Sequence, residues 1–259
     1  MTLSSTDLDN FAARLTAADR DRTAIENLTT SHPQADIDDA YAISTRVVET
    51  LAQTDPVIGY KIGLTSKAAQ ESAGVNEPDF GFLRRSMLVP DGGSLQSVPL
   101  FRASAEPELA FIIGDEFPER TVTASDVRSA TAEIALALEI IDSRYTGPVN
   151  LIDSIADNAS TGALVLGARH SDIGAALAYE GDVALVVDDE IIASGQLDAV
   201  MGDPAVAVAW LANRLAAYGV RFQPGDIVLS GSITRFMPLG DGGRVVADFG
   251  PLGAVSAMA

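Results

Sequence analysis

Two apolar runs, AEPELAFIIG (105–114) and ALALEIIDSR (135–144), carry three glutamates, Glu106, Glu108 and Glu139, among neighbours that demand burial. An ionised carboxylate buried without a partner is strongly unfavourable, so buried charges are paired or bound to metal. Few basic residues accompany these runs. A divalent cation is therefore the predicted counter-charge, and the alternative is a set of exposed glutamates on an edge strand. If 106–113 is a strand, period-two alternation puts Glu106 and Glu108 on one face and Pro107 and Leu109 on the other. Two oxygen ligands then point the same way.

Cysteine is absent, and His32 and His170 are the only histidines. Disulfides, thiolate metal sites and a cysteine nucleophile are excluded, and a multi-histidine zinc site is disfavoured. A site built from oxygen favours magnesium, manganese or calcium. The net charge of −19, from 17 Lys+Arg against 36 Asp+Glu, argues against nucleic acid or an anionic membrane as partner. Most of that charge reads as a solvated acidic surface. No apolar stretch approaches the ~20 residues of a membrane span. The start, MTLSSTDLDNFAARL, lacks the basic segment and apolar core of a signal peptide, so the cytoplasm is the expected compartment.

The N-terminal part reads as helical. Thr6 is the predicted cap of a first helix carrying Leu8, Phe11 and Leu15, and a second begins near Asp36, with the loop SHPQAD between them. From Pro56 the texture changes. VIGYKIGL reads as a strand, and Ser66 as the cap of a short helix ending near Gly74. This shift predicts a helical part over 1–55 and a β-rich core over 56–259. Further strands are expected at 106–113, 134–141, 163–167, 182–188, 190–195, 226–230, 244–249 and 253–258. One clear helix interrupts them, with Asp203 as cap, Pro204 at its first position and Gly219 past its end. Many short strands without βαβ alternation predict an α+β roll or sandwich and disfavour a doubly wound nucleotide-binding fold.

The segments GYKIGLTS (59–66), EPDFGFL (77–83), AEPELAFIIG (105–114), ALEIIDSR (137–144), ADNAS (156–160), GDPAVAVAWLANRLAAYG (202–219) and PGDIVLSGSIT (224–234) occur in fixed order along nearly the whole chain. In this order they resemble the hydratase and decarboxylase branch of the fumarylacetoacetate hydrolase superfamily. The resemblance implies a mixed β-roll core and a homo-oligomer, with Mg²⁺ or Mn²⁺ held by Glu106, Glu108 and Glu139. It also implies a 2-keto acid substrate, with hydration of 2-hydroxypenta-2,4-dienoate as the leading activity. Decarboxylation of a 4-oxalocrotonate-type 2-oxo-3-enedioate and acylpyruvate hydrolysis are the alternatives. A non-catalytic partner subunit and a calcium-binding module are readings of other classes, and association with a pathway aldolase or decarboxylase is an expected partnership.

By the same resemblance Lys61 contacts substrate or assists proton transfer; a lysine that snorkels from its strand is the plainer reading. Asp79 resembles the hydratases of the branch, whereas the decarboxylases tend to lack an aspartate there; on local grounds alone it is a turn residue. A carboxylate beside a lysine supplies an acid–base pair for adding water. IIDSRY and PDGG look somewhat like decarboxylase segments, and ASGQLDAVMGDP (193–204), with Gln196 and Asp198, departs from the glycine-rich stretch common in the family. Asn158 and Ser160 fit a polar loop near the metal or a plain turn. Lys67 and Arg144 are cations for an acidic substrate or members of ion pairs. Ser230 and Ser232 suggest no hydrolase, since no G-x-S-x-G elbow is present.

Overall fold

The computed structural model describes residues 1–240 and 242–259. It opens with α1 (Ser5–Asp21), α2 (Leu28–Ser31) and α3 (Ile37–Leu51). Then follow β1 (Val57–Gly63), α4 (Lys67–Ala73), β2 (Asp79–Arg84), β3 (Leu88–Pro90), β4 (Ser104–Ile113), α5 (Ala124–Ala130), β5 (Thr131–Ile141) and α6 (Leu151–Ala156). The chain continues through β6 (Thr161–His170), α7 (Ile173–Leu177), β7 (Val183–Val187), β8 (Glu190–Gly195), α8 (Pro204–Ala216), β9 (Ile227–Leu229), β10 (Met237–Pro238), β11 (Arg244–Asp248) and β12 (Ala254–Met258). None of its helices is long and apolar enough to cross a membrane among the described residues.

Two sheets form the core of this α+β fold. The larger has the order β2-β1-β9-β4-β5-β6-β3, with β10 added beside β4, and the smaller runs β12-β11-β7-β8. The larger sheet is mixed, because β1 and β9, and likewise β3 and β6, are parallel while its other pairs are antiparallel. Residues opposite each other across a ladder share a face. The pairs Gly63↔Asp79, Lys61↔Leu229, Leu229↔Ala110, Glu108↔Ala137 and Glu106↔Glu139 therefore define one face of the sheet. Its apolar members, Ala110, Ala137, Leu164, Ile227 and Leu229, form a small buried cluster of their own. The opposite face carries Ile62, Phe80, Leu109, Phe111, Leu138, Val165 and Val228 into the main core, shared with Leu185, Val245 and Val255 of the smaller sheet and Val208 and Leu211 of α8. Alternation thus puts the carboxylates and the main core on opposite sides.

The N-terminal helices make a second core. Phe11, Leu15, Leu28 and Ile43 pack with Tyr145, Ile155 and Ala156, so α6 and the segment before it serve as their seat. Helix α3 is anchored by a capping box between Asp36 and Asp39, as the expected start there requires. The cap of helix α1 falls two residues before the expected one: Ser4 fills that role, its hydroxyl accepting from the Asp7 amide at 3.2 Å. Three short helices, α5, α6 and α7, join α8 among the strands where one helix was expected. Each is five to seven residues long, too short for a 3.6-residue period to register, and each is announced by a capping side chain, from Thr123, Asn150 and Asp172 respectively. Strand β2 is likewise an addition, since Gly81 at its centre breaks the β-rich pattern.

Candidate metal centre

Glu106 and Glu139 stand directly opposite each other on antiparallel neighbours, and Glu108 lies two residues along the same face. Like charges in that register repel unless something bridges them. One ligand atom from each of the three lies within 4.8 Å of the others. Glu108 and Glu139 are fully buried. The Gly231 amide donates to Glu108 Oε2 at 2.8 Å, and Thr161 Oγ1 donates to Glu139 Oε1 at 3.3 Å. Glu108 Oε1 and Glu139 Oε2 have no hydrogen-bond partner among the described residues. Buried carboxylate oxygens without donors, in a cluster this tight, suit a hard divalent cation, because oxygen ligands are what such ions take.

Burial, then Glu139, pushes the Glu106 carboxyl up to about 8, and burial with Glu139 and Glu106 raises Glu108 well above the carboxylate range. Left to themselves Glu106 and Glu108 hold protons that a cation would displace. Lys61 projects from β1 onto the same face, with its Nζ 3.4 Å from Glu139 Oε1. Burial favours its neutral amine, but Glu139, then Asp79, Glu106 and Glu108 overcome this and hold it charged above an ordinary lysine. Asp79 is raised, first by burial, with Lys61 opposing and Glu139 adding to the rise.

Glycine makes this arrangement possible. A Cβ on Gly63 would fall 2.1 Å from Asp79 Oδ1 and 3.4 Å from Lys61 Nζ, so the missing side chain lets Asp79 close against the strand beside Lys61. Asp79 Oδ1 is buried without a hydrogen-bond partner among the described residues. The edge of β2 is reached by the N-terminal helices: Tyr41 of α3 stacks on Phe80 with ring centroids 4.6 Å apart. Burial, followed by Asp79, raises the Tyr41 hydroxyl above its ordinary range.

Five of the sequence-predicted residues, Lys61, Asp79, Glu106, Glu108 and Glu139, thus share one neighbourhood. The other four do not join it directly. Asn158 spends its amide on β2, its Oδ1 accepting from the Phe82 amide at 2.8 Å and its Nδ2 donating to the Phe82 carbonyl at 2.9 Å. Ser160 Oγ lies 2.9 Å from Ser154 Oγ. Lys67 is exposed at the first position of α4. Arg144 forms an ion pair, buried against Asp157 with Asp19 at 3.7 Å. Thr161, Gly63 and Tyr41 were not singled out in the sequence. Only cross-strand pairing identifies the first two, and no sequence signal links Tyr41 to residues so far along the chain. Ser232 Oγ donates to the Thr234 carbonyl at 2.6 Å, and His32 Nδ1 lies 2.9 Å from Ser31 Oγ, so neither builds a hydrolytic triad.

The chain is 39% identical over 241 residues to a 2-hydroxyhexa-2,4-dienoate hydratase of Comamonas testosteroni, covering 92% of this chain and 91% of that one. It is 38% identical to a 2-keto-4-pentenoate hydratase of Dechloromonas aromatica (strain RCB), covering 95% of each. Among solved structures, 4-oxalocrotonate decarboxylase from Pseudomonas putida G7, complexed with magnesium and adipate, superposes with a TM-score of 0.91 at 29% identity over 99% of this chain and 98% of that one. Residues 57–258, which include the carboxylates, Lys61 and Asp79, match the fumarylacetoacetate (FAA) hydrolase C-terminal family, and the chain belongs to that family.

Proposed function

We propose that this protein is a divalent-cation-dependent hydratase that adds water to 2-hydroxypenta-2,4-dienoate (2-keto-4-pentenoate) or a close analogue. The product is a 4-hydroxy-2-oxo acid, formed in aromatic or steroid ring catabolism. Glu106, Glu108 and Glu139 would hold Mg²⁺ or Mn²⁺. Such an ion supplies Lewis acidity toward the carboxylate and keto oxygens of a 2-oxo acid.

The remaining chemistry is proton management. Ketonisation moves a proton from the 2-hydroxyl to C5, and hydration places the water oxygen on C4 and a proton on C3. Lys61, held charged by Glu139 and its neighbours, serves as donor, and Asp79 takes the proton that water gives up. The observation that carries this reading is the close approach of Asp79 Oδ1 to the backbone at Gly63, with Lys61 Nζ beside that position and next to Glu139. The hydratase relatives support it. The proposal extends to a cytoplasmic homo-oligomer whose catalytic core is 56–259, with 1–55 as a helical part; light scattering in solution tests the self-association.

The structural likeness to a decarboxylase favours one second reading, loss of carbon dioxide from a 2-oxo-3-enedioate at the same site. Assay of the purified protein with 2-hydroxypenta-2,4-dienoate and with 4-oxalocrotonate separates the two. Hydration of the monoacid is expected. Carbon dioxide release from the diacid with no hydration of the monoacid would overturn the proposal.

A further inference from the structure

Asn158, Ala159 and Ser160 have φ angles of 57°, 50° and 57°. Residues with a Cβ enter the left-handed region singly, not in runs, and persist there only where the surroundings over-determine them. Arg144 supplies much of that constraint. Its amide donates to Asp157 Oδ2 at 2.8 Å and its Nε to Asp157 Oδ1, while its Nη2 reaches the Asp157 carbonyl at 3.3 Å and the Thr161 carbonyl at 3.0 Å. One guanidinium therefore grips both ends of the turn. Between those ends the Ser160 amide donates to the Asp157 carbonyl at 3.0 Å, and the Asp142 amide to the Ser160 carbonyl at 2.7 Å.

The turn has two outputs. Thr161, the residue after it, places its hydroxyl 3.3 Å from Glu139 Oε1. The Asn158 carbonyl oxygen lies 2.5 Å from where a Cβ on Gly81 would be, so the turn bears on the backbone of β2 two residues from Asp79. Behind Arg144 stands Asp19 of α1 at 3.7 Å, itself 3.1 Å from Arg84 Nη2, while Arg84 Nη1 meets Asp55 at 2.7 Å. This buried lattice ties the N-terminal helices to the turn.

We infer that Arg144 is a positioning residue for the ion site: its fork, braced by Asp19, enforces the left-handed turn that holds Thr161 on Glu139 and the Asn158 carbonyl against Gly81. The inference rests on the reading that the three glutamates hold a divalent ion. By this route the N-terminal helices influence the ion's affinity from outside its ligand set. A planar fork matters here more than a point charge, because carboxylate and carbonyl acceptors are gripped together.

The test is Mn²⁺ binding by isothermal titration calorimetry to the full-length protein and to Arg144→Gln, Arg144→Lys, Asp19→Asn and Val48→Ala, with folding of each checked by circular dichroism. Val48 lines the same small cavity as Arg144, Asp157 and Asn158 but offers no polar group to the turn, so it reports on loosened packing alone. Arg144→Gln and Arg144→Lys are expected to bind Mn²⁺ at least tenfold more weakly, Asp19→Asn severalfold more weakly, and Val48→Ala within twofold of the wild type. Wild-type affinity in either folded Arg144 variant would overturn the inference, as would equal weakening by Val48→Ala. If both Arg144 variants fail to fold, unchanged binding in Asp19→Asn overturns it. A wild type that binds no ion would sink the metal reading first, and this one with it.

Discussion

Lys61 Nζ and Glu139 Oε1 lie 3.4 Å apart, with side chains only 5% and 1% exposed, on strands that are not neighbours in the sheet. The pair crosses the face that carries Glu106 and Glu108, so the ammonium compensates part of the charge that an ion would otherwise bear alone. A buried pair of this kind is weak support for stability, since desolvation offsets much of the attraction. Its value lies in fixing a charged donor next to Asp79.

Asp79→Asn keeps the shape of the side chain and removes its ability to accept a proton. Hydration should fall about 10²- to 10⁴-fold, the range for losing a general acid or base. The melting temperature should change by no more than a few degrees. Steady-state assay with thermal denaturation of the same preparation checks this; a variant retaining near-normal turnover would remove Asp79 from the chemistry.

Gly63→Ala places a methyl 2.1 Å from Asp79 Oδ1. Crowding at a filled site costs about 1–3 kcal/mol. The larger effect should be on turnover, at least tenfold, as Asp79 is driven away from Lys61. Urea denaturation and kinetics on one sample give both numbers, and unaltered activity would show that the close approach of Asp79 at Gly63 has no part in the reaction.

The glutamates predict how ion binding responds to pH. A carboxyl whose folded pKa is raised contributes its stability fully below its unfolded value and loses it as pH rises through the folded one. For Glu106 that interval runs from 4.5 to about 8. Ion-free protein should therefore lose stability between pH 5 and 8, and the stabilisation by Mg²⁺ should grow over the same interval as protons leave the carboxylates. Melting curves with and without Mg²⁺ at successive pH values test this, and an ion effect independent of pH would contradict it.

Asp39 behaves oppositely. Its carboxylate accepts from the Thr2 amide at 3.0 Å, the Thr2 hydroxyl at 2.8 Å, the Leu3 amide at 3.1 Å and the Asp36 amide at 3.1 Å. Burial raises its pKa, but these donors outweigh burial, Thr2 most of all, and hold it down to about 2. Stability from a lowered carboxyl is present above the unfolded value of 3.8 and lost as pH falls toward about 2. Asp39→Asn should cost up to about 2 kcal/mol at pH 7 and little near pH 2. Urea denaturation at the two pH values measures the difference.

What could be read from the sequence divides along physical lines. The glutamates were legible because a carboxylate inside an apolar strand conflicts with its surroundings, and the conflict names its resolution. Most strands and α8 were legible because period-two runs, Asp203 and Pro204 are local signals. Strand β2 was not, because Gly81 at its centre hides a strand whose glycine exists to admit the Asn158 carbonyl. Arg144 read equally as a cation for an acidic substrate or as half of an ion pair, because sequence shows its charge but not Asp157 beside it. The contributions of Thr161 and Tyr41 depend on contacts across 22 residues or more, which no local pattern encodes.

The most direct test of the central claim is the rate of 2-hydroxypenta-2,4-dienoate hydration by chelator-dialysed protein as Mn²⁺ is titrated back. The account predicts background turnover without the ion and full recovery at one ion per chain, with no recovery in Glu108→Gln at the same concentrations. Undiminished hydration by ion-free protein, or recovery in Glu108→Gln matching the wild type, would contradict it.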